Sequence, residues 1–193
     1  MNKRSAKESK RLILAAARTV FAEQGYAQAS MRDIARVAGI SVGGLYLYFH
    51  NKEDLFQTFM QEWINKLDDH THEALVMHDD PVAAITAFIS ISIDFSRSHK
   101  EMIILQGREW GFTLGIDLKR EFFAERRKII AAIIKKGIET GDFEPCDVDR
   151  AAKVIFNMLR GFVISMVIDE DALFPAADCV NLVLQGLLRR NNG

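Results

Sequence analysis

The sequence predicts an all-α protein with two helical domains. Apolar residues recur at three- and four-residue steps along nearly the whole chain, whereas the alternation that is typical of a β-strand is hard to find. Length and composition, 193 residues with 49% apolar and 26% charged, allow one large or two small globular domains. None of the three prolines interrupts an apolar helical run, as expected if each stands at a helix junction: Pro81, Pro145 and Pro175. These patterns predict about nine helices.

Capping residues predict the order of the N-terminal helices. Serine or asparagine precedes each of the first four helices: Ser5, Ser30, Ser41 and Asn51. We expect the first helix to stop at Gly25 and the second at Gly39, because glycine is the usual helix terminator. The fourth helix, about residues 51–78, connects a DNA-binding domain over 1–52 to a second domain over 53–193.

Beyond residue 80 the pattern predicts five further helices. Their expected ranges are about 81–97, 100–114, 117–140, 147–168 and 176–190. Gly141 is a natural C-terminal cap and Asp147 a natural N-terminal cap for two of them.

The charge is distributed unevenly along the chain. Residues 1–52 carry nine Lys and Arg against three acids, whereas the remainder carries 16 basic and 23 acidic residues. A basic end on an acidic body suggests contact with a polyanion, and a solvated basic tail is the alternative. The only cysteines, Cys146 and Cys179, are not in metal-type spacing, no uncharged apolar run reaches about 20 residues, and no signal peptide is recognisable. We therefore expect a cytoplasmic protein.

Two short helices joined at residues 39–41, behind a longer one, match the helix-turn-helix plan. In this plan the third helix enters the major groove, which is wide enough to admit it. Glycine destabilises a helix by about 1 kcal/mol relative to alanine, so the presence of Gly43 and Gly44 in the third helix requires an explanation. One explanation is that the helix approaches DNA closely, and the alternative is that it packs closely on a neighbouring helix. The outward face would consist of Val42, Gly43, Tyr46 and Tyr48.

Several ordered stretches resemble the DNA-binding domain of tetracycline-repressor-like (TetR/AcrR) transcriptional regulators: FAEQGY (21–26), ASMRDIA (29–35), AGIS (38–41), GLYLYF (44–49) and NKEDL (51–55). The resemblance covers roughly residues 9–60. Elsewhere the chain resembles the family only in length and in its helical character. The resemblance implies a C-terminal helical domain for effector binding and dimerisation.

The resemblance also implies individual DNA contacts. It assigns Ser30, Arg32 and Lys52 to phosphates, with a guanine edge as the alternative for Arg32. It assigns Val42 and Gly43 to base edges, and Tyr46 and Tyr48 to the sugar-phosphate backbone. Ser41 and Gly44 complete the set of predicted DNA contacts. Core packing is the alternative for the two tyrosines, and an exposed charge at a helix start is the alternative for Lys52. Because Val42 and Gly43 carry no hydrogen-bonding side chain, DNA shape, Arg32 or the Lys3-Arg4 arm would supply specificity.

Bulky, adaptable side chains concentrate in the second domain. Eleven of the 13 phenylalanines, both tryptophans and five of the seven methionines follow residue 52. Such side chains suit the wall of a small-molecule cavity, although most are expected to be ordinary core. The candidate ligand contacts are Trp63, Phe88, Met102, Trp110, Phe122, Phe156 and Phe162. We expect the polar residues within the apolar stretches to be solvated or ion-paired groups rather than ligand anchors: Arg108, Glu109, Asn157 and Arg160.

The last two helices are too apolar to be covered within a single chain of this size. Burial against a second copy would cover them, and the family resemblance implies a four-helix bundle between two subunits. The candidate interface residues are Gly161, Val180, Val183, Leu184, Leu187 and Leu188.

The sequence thus predicts a homodimeric repressor that a small, mainly apolar ligand releases from a palindromic double-stranded operator. A ligand-independent regulator or an activator is the alternative within the family, and a small helical enzyme or carrier is the alternative from another class. Catalytic motifs such as GxSxG, a Walker loop or HExxH are missing from the sequence. His70 and His72 stand two apart and would point in different directions on a helix, so neither a metal site nor a cofactor is predicted.

Overall fold

The computed structural model describes residues 5–100, 103 and 116–188, and these form helices joined by short connections. The helices are α1 (Ala6–Gln28), α2 (Met31–Ala38), α3 (Val42–Tyr46), α4 (Lys52–Val76), α5 (Pro81–Ser98), α6 (Ile116–Thr140), α7 (Val148–Ile168) and α8 (Ala176–Leu187). A 3-10 turn spans Glu170–Ala172, and the β-structure of the described ranges is one isolated bridge between Phe143 and Leu188. The all-α class is confirmed. Apart from residues 100 and 103, which are helical, the helix predicted at 100–114 lies outside the described residues, as do Lys3, Arg4, Met102, Arg108, Glu109 and Trp110.

Local hydrogen bonds explain where the helices begin. In six cases the side-chain oxygen of the residue before the helix accepts the backbone N–H three residues later: Ser5 from Glu8 (3.2 Å), Ser30 from Asp33 (3.1 Å), Ser41 from Gly44 (3.0 Å), Asn51 from Asp54 (2.8 Å), Asp80 from Ala83 (3.0 Å) and Asp147 from Arg150 (3.0 Å). Each bond satisfies an N–H that lacks a partner inside the helix. The prediction that the first helix stops at Gly25 is partly wrong, because helical structure resumes as far as Gln28. Gly25 nevertheless breaks the helical path, with φ 75° and ψ 165°.

The described chain divides into two compact units. Residues up to Asn65 belong to the first unit, which contains α1, α2, α3 and the first part of α4. The second unit begins at Lys66 and contains the rest of α4 and the helices that follow. The division therefore falls inside the continuous helix α4.

Each unit has its own apolar core. In the first unit the largest fully buried side chains come from all four helices and the segment after α3: Ile13, Phe21, Ile34, Leu45, Phe49, Leu55, Phe56 and Met60. In the second unit they are Ile85, Phe88, Phe143 and Phe162. In the described ranges α7 alone is long and apolar enough, by length and composition, to cross a membrane, a criterion that the core helix of a globular protein also meets.

Candidate functional site

The helix-turn-helix of the first unit is built around a left-handed glycine and two buried side chains. Gly39 ends α2 with φ 67° and ψ 35°, a conformation that glycine adopts without steric cost. Ile40 is half-buried between the two helices, and Val42 begins α3. Leu45 and Phe49 are 0% and 2% exposed, so the core fixes which side of α3 faces inward.

The opposite side of α3 is exposed. Val42 and Tyr46 are 38% and 48% exposed. Ser41 and Gly43 are exposed as well, whereas Tyr48 is half-buried. Among the residues predicted to contact DNA in and beside α3, Ser41, Val42, Gly43 and Tyr46 are exposed, and Gly44 and Tyr48 are half-buried. We call this set the recognition face: Ser41, Val42, Gly43, Gly44, Tyr46 and Tyr48.

Leu47 is a residue that the sequence reasoning missed. Its side chain is 85% exposed, more than any other large apolar side chain in the described ranges. The signal was present, because Leu45 and Phe49 form a core pair four residues apart and Leu47, midway between them, points away from the core. An apolar side chain at this place offers a surface suited to sugar or thymine methyl groups.

The two glycines of α3 differ in their surroundings. A Cβ built on Gly43 would meet no atom of the described residues within 4 Å, so none of these neighbours requires a glycine there. A Cβ on Gly44 would come within 3.1 Å of the Ser41 Oγ, which caps the helix. The alternative that Gly43 serves close packing of helices therefore finds no support among the described residues.

Arg32 and Ser30 at the start of α2 differ in how free their side chains are. Arg32 is exposed in the first turn. The Ser30 hydroxyl accepts the Asp33 N–H and also donates to the Asp33 carboxylate at 2.5 Å. That second bond holds the pKa of Asp33 below its usual value. The Ser30 hydroxyl is thus committed to the cap, whereas the Arg32 guanidinium faces solvent.

Lys52 does not have the free ammonium group that the predicted phosphate contact requires. Its Nζ donates to the backbone carbonyls of Tyr26 (2.7 Å), Ala27 (3.2 Å) and Ala29 (3.0 Å). It also lies 4.4 Å from the centroid of the Tyr26 ring. An ammonium group has three N–H donors, and all three are used here. The prediction is corrected: Lys52 ties the start of α4 to the end of α1.

The second unit holds most of the predicted ligand residues, and the Phe122 and Phe156 rings both lie beside Phe123. Phe88, Phe156 and Phe162 are buried and Phe122 is half-buried. The Phe156 ring lies 5.3 Å from Phe123, and the Phe162 ring 5.2 Å from Phe174. Trp63, also half-buried, belongs to the first unit.

Arg126 joins Phe88 and Phe122, and the sequence reasoning missed it. Its guanidinium carbon lies 5.1 Å from the Phe122 ring centroid and 5.8 Å from that of Phe88. Arg126 is only 2% exposed. The signal is positional, because Arg126 stands four residues after Phe122 and four before Ile130, within an apolar helical stripe.

Half of the residues predicted for a subunit interface are already covered by their own chain. Val180, Val183 and Leu187 are 8%, 7% and 7% exposed, so they belong to the core of the second unit and their assignment is corrected. The remaining three retain accessible surface: Gly161 and Leu188 are exposed and Leu184 is half-buried. The error arose because an apolar helical stripe in the sequence does not show whether the chain's own helices or a second copy cover it.

Two family models match the chain. Residues 13–58 match the model of bacterial regulatory proteins of the tetR family, and residues 116–175 match a tetracyclin repressor-like C-terminal domain. Together the two matches span more than half of the chain, and the first contains the recognition face. The chain belongs to the TetR family of transcriptional regulators.

Named relatives share this assignment over most of their length. The fatty acid metabolism regulator protein of Bacillus subtilis is 29% identical over 184 residues, which covers 91% of this chain and 93% of that protein. The transcriptional repressor KstR2 of Mycolicibacterium smegmatis is 28% identical over 150 residues, covering 74% of this chain and 72% of that protein. The crystal structure of FadR from Bacillus subtilis in complex with stearoyl-CoA is similar with a TM-score of 0.75 at 26% identity, covering 91% of this chain and 95% of that one.

Proposed function

We propose that this TetR-family chain is a cytoplasmic repressor that binds a near-palindromic operator as a homodimer and is released by a small, mainly apolar ligand. The observation that carries the proposal is the recognition face, an exposed surface on a helix whose other side is fixed by Leu45 and Phe49. In helix-turn-helix transcriptional regulators the corresponding helix lies in the major groove of DNA and contacts the base edges.

The recognition face suits contact by shape and backbone more than by base-edge hydrogen bonds. Val42 and Gly43 supply an exposed first turn without polar side chains, and the exposed Tyr46 carries a hydroxyl that can bond the sugar-phosphate backbone. Leu47 adds an apolar contact beside it. Arg32 supplies the free charge, because phosphate contacts position a protein and contribute much of its affinity.

A stripe along α7 supports the homodimer. Five exposed residues recur at steps of three and four along this helix: Val154, Asn157, Gly161, Ile164 and Ile168. Val154 and Ile168 are 68% and 76% exposed, and Leu182 on α8 is 63% exposed. This spacing is that of a helix face which packs against another helix. We propose that a second copy covers this stripe, which we call the α7 stripe, together with the exposed residues of α8.

A fatty acyl-CoA is the ligand class that we propose. A relative of 26% identity was crystallised with stearoyl-CoA, and the second unit of this chain holds buried phenylalanines suited to an alkyl chain. Release requires that the ligand prefer one arrangement of the DNA-reading units over the other. Because α4 belongs to both units, a shift of its second half is the proposed route.

The test measures operator release directly. Fluorescence anisotropy of a labelled duplex taken from the DNA beside the protein's own gene reports binding, and stearoyl-CoA is then titrated against free CoA as the control. We expect stearoyl-CoA to reduce operator affinity by about tenfold or more, which needs a preference of about 1.4 kcal/mol. Unchanged affinity would favour the ligand-independent alternative, tighter binding would favour an activator, and conversion of stearoyl-CoA to product would indicate an enzyme.

A further inference from the structure

The second unit buries one positive charge deep among apolar side chains. In the described ranges Arg126 is the only charged residue that is buried, with 2% of its surface exposed. Burying a guanidinium is costly unless its charge and its N–H donors are matched. Each of its donors therefore needs a partner.

Two of the three nitrogen atoms of Arg126 have partners on α4. Nη2 donates to Asp68 Oδ1 and Nη1 to Thr71 Oγ1, each at 2.7 Å. The Thr71 hydroxyl passes its own hydrogen to the Leu67 carbonyl at 2.7 Å, so it acts as an acceptor toward Arg126. The guanidinium thus holds α6 to the second half of α4.

The third nitrogen atom, Nε, is buried and finds no acceptor among the described residues. Buried donors of native proteins are nearly always satisfied, so an unmatched one marks a place where another acceptor belongs. Asp68 compensates the charge only in part, because 46% of its side chain is exposed. Burial raises the pKa of the Asp68 carboxyl, although Arg126 opposes that change.

The surroundings of Arg126 are aromatic. The Phe122 and Phe88 ring centroids lie 5.1 and 5.8 Å from the guanidinium carbon, and Phe88 is 1% exposed. An apolar wall with a few oriented polar groups is the usual composition of a small-molecule site. A molecule that fits here combines an alkyl or aromatic body with one oxygen that accepts a hydrogen bond.

We propose that Arg126 anchors the effector through its head-group oxygen, a carboxylate or a thioester carbonyl, which accepts a hydrogen bond from Nε. This inference rests on the proposed function, because it names the residue that recognises the ligand of that function. The same guanidinium holds Asp68 and Thr71, so an oxygen bound to it acts on the helix that both units share.

The test compares two pairs of probes, each matched apart from the oxygen-bearing group. Stearoyl-CoA carries a thioester carbonyl that the thioether S-octadecyl-CoA lacks, and stearate carries a carboxylate that 1-octadecanol lacks. Isothermal titration of the full-length protein should show stearoyl-CoA or stearate binding about tenfold or more tightly than the other member of its pair, as a charged hydrogen bond provides. The probe that shows the preference identifies carbonyl or carboxylate as the source.

Arg126→Lys keeps a positive charge for Asp68 but removes the Nε–H. We expect it to bind the two members of each pair within about twofold of one another, since the distinguishing hydrogen bond is lost. Arg127→Lys is the matched control, because Arg127 is the half-buried neighbour that lies over the Phe156 ring instead. It should keep the wild-type preference.

The outcomes separate this inference from the proposed function. If the wild type binds both members of each pair equally, or Arg126→Lys keeps the wild-type preference, Arg126 is a structural ion pair and the inference is wrong, while ligand release of DNA still stands. If none of the probes binds the wild type, the proposed acyl ligand itself fails. The wild-type comparison remains decisive even if Arg126→Lys does not fold.

Discussion

The two units of this protein place their candidate functional residues in opposite environments. In the first unit the recognition face is exposed and its position is set by neighbours that are close in sequence, such as Gly39 and the Ser41 cap. In the second unit the distinctive group, Arg126, is buried and bonded to a residue 58 positions away. Contact with a large partner requires an accessible surface, whereas recognition of a small molecule requires an enclosed one.

The largest effect is expected from disruption of the α7 stripe. Val154→Asp would place an unpaired carboxylate in the proposed subunit interface, where its desolvation is strongly unfavourable. The protein should sediment as a monomer. Operator affinity should fall by roughly 100-fold or more, because two half-sites are no longer bound by one linked molecule.

A matched control for that variant is Val76→Asp. Val76 on α4 is 71% exposed, close to the 68% of Val154, and belongs to a different helix from the α7 stripe. It should leave both the sedimentation coefficient and operator affinity unchanged. A monomeric wild type, or a Val154→Asp protein that sediments like the wild type, would contradict the proposed interface.

Arg32→Ala tests the free charge of the first unit. Loss of one phosphate or base contact should weaken operator binding by about 1–3 kcal/mol. If the contact is to a phosphate, the magnitude of the slope of log affinity against log salt should decrease by about 0.9 for each chain, or about 1.8 for the proposed homodimer. Anisotropy titrations at several salt concentrations measure both quantities, and unchanged affinity would remove Arg32 from the interface.

Lys52→Ala separates a structural lysine from a DNA-binding one. The variant loses three hydrogen bonds to the carbonyls of Tyr26, Ala27 and Ala29, so the free energy of unfolding should fall by roughly 1–3 kcal/mol. Denaturant unfolding measures this loss. The salt slope of DNA binding should match that of the wild type, in contrast to Arg32→Ala, and a lower slope with unchanged stability would restore the phosphate contact.

Gly43→Ala should show the smallest effect, with opposite signs in two measurements. The added methyl group meets open space, so helix propensity should raise the free energy of unfolding by up to about 1 kcal/mol. If the first turn of α3 approaches DNA closely, operator affinity should fall nonetheless, by less than about tenfold. Increased stability with unchanged affinity would remove the functional reason for this glycine.

Local signals account for what the sequence predicted well. The cap residues Ser30 and Ser41 bond a backbone N–H three residues later, and the core residues Leu45 and Phe49 are four residues apart. Both partners of each interaction therefore lie within one short stretch of sequence, where a local pattern can reveal them. The helix starts and the exposed side of α3 followed from such signals. Leu47 was missed although the same core pair implied its exposure.

The errors concern interactions that no local pattern contains. Lys52 reaches carbonyls 23 to 26 residues earlier, and its use there is set by how α1 and α4 pack. Val180 and Leu187 belong to an apolar helical stripe, and the sequence alone does not distinguish packing of that stripe in the core of its own chain from packing against a second copy. Arg126 had a signal, a charge within an apolar stripe, but its partners on α4 depend on the tertiary fold.

The most direct test of the central claim is the salt dependence of wild-type binding to a duplex from the DNA beside its own gene. Raising salt from about 50 to 200 mM should lower the affinity steeply, with a log–log slope near −0.9 for each phosphate contacted and two chains bound per duplex. A scrambled duplex should bind more weakly at every salt concentration. Affinity that does not change with salt, or that is equal for the two duplexes, would contradict the assignment of the recognition face to DNA.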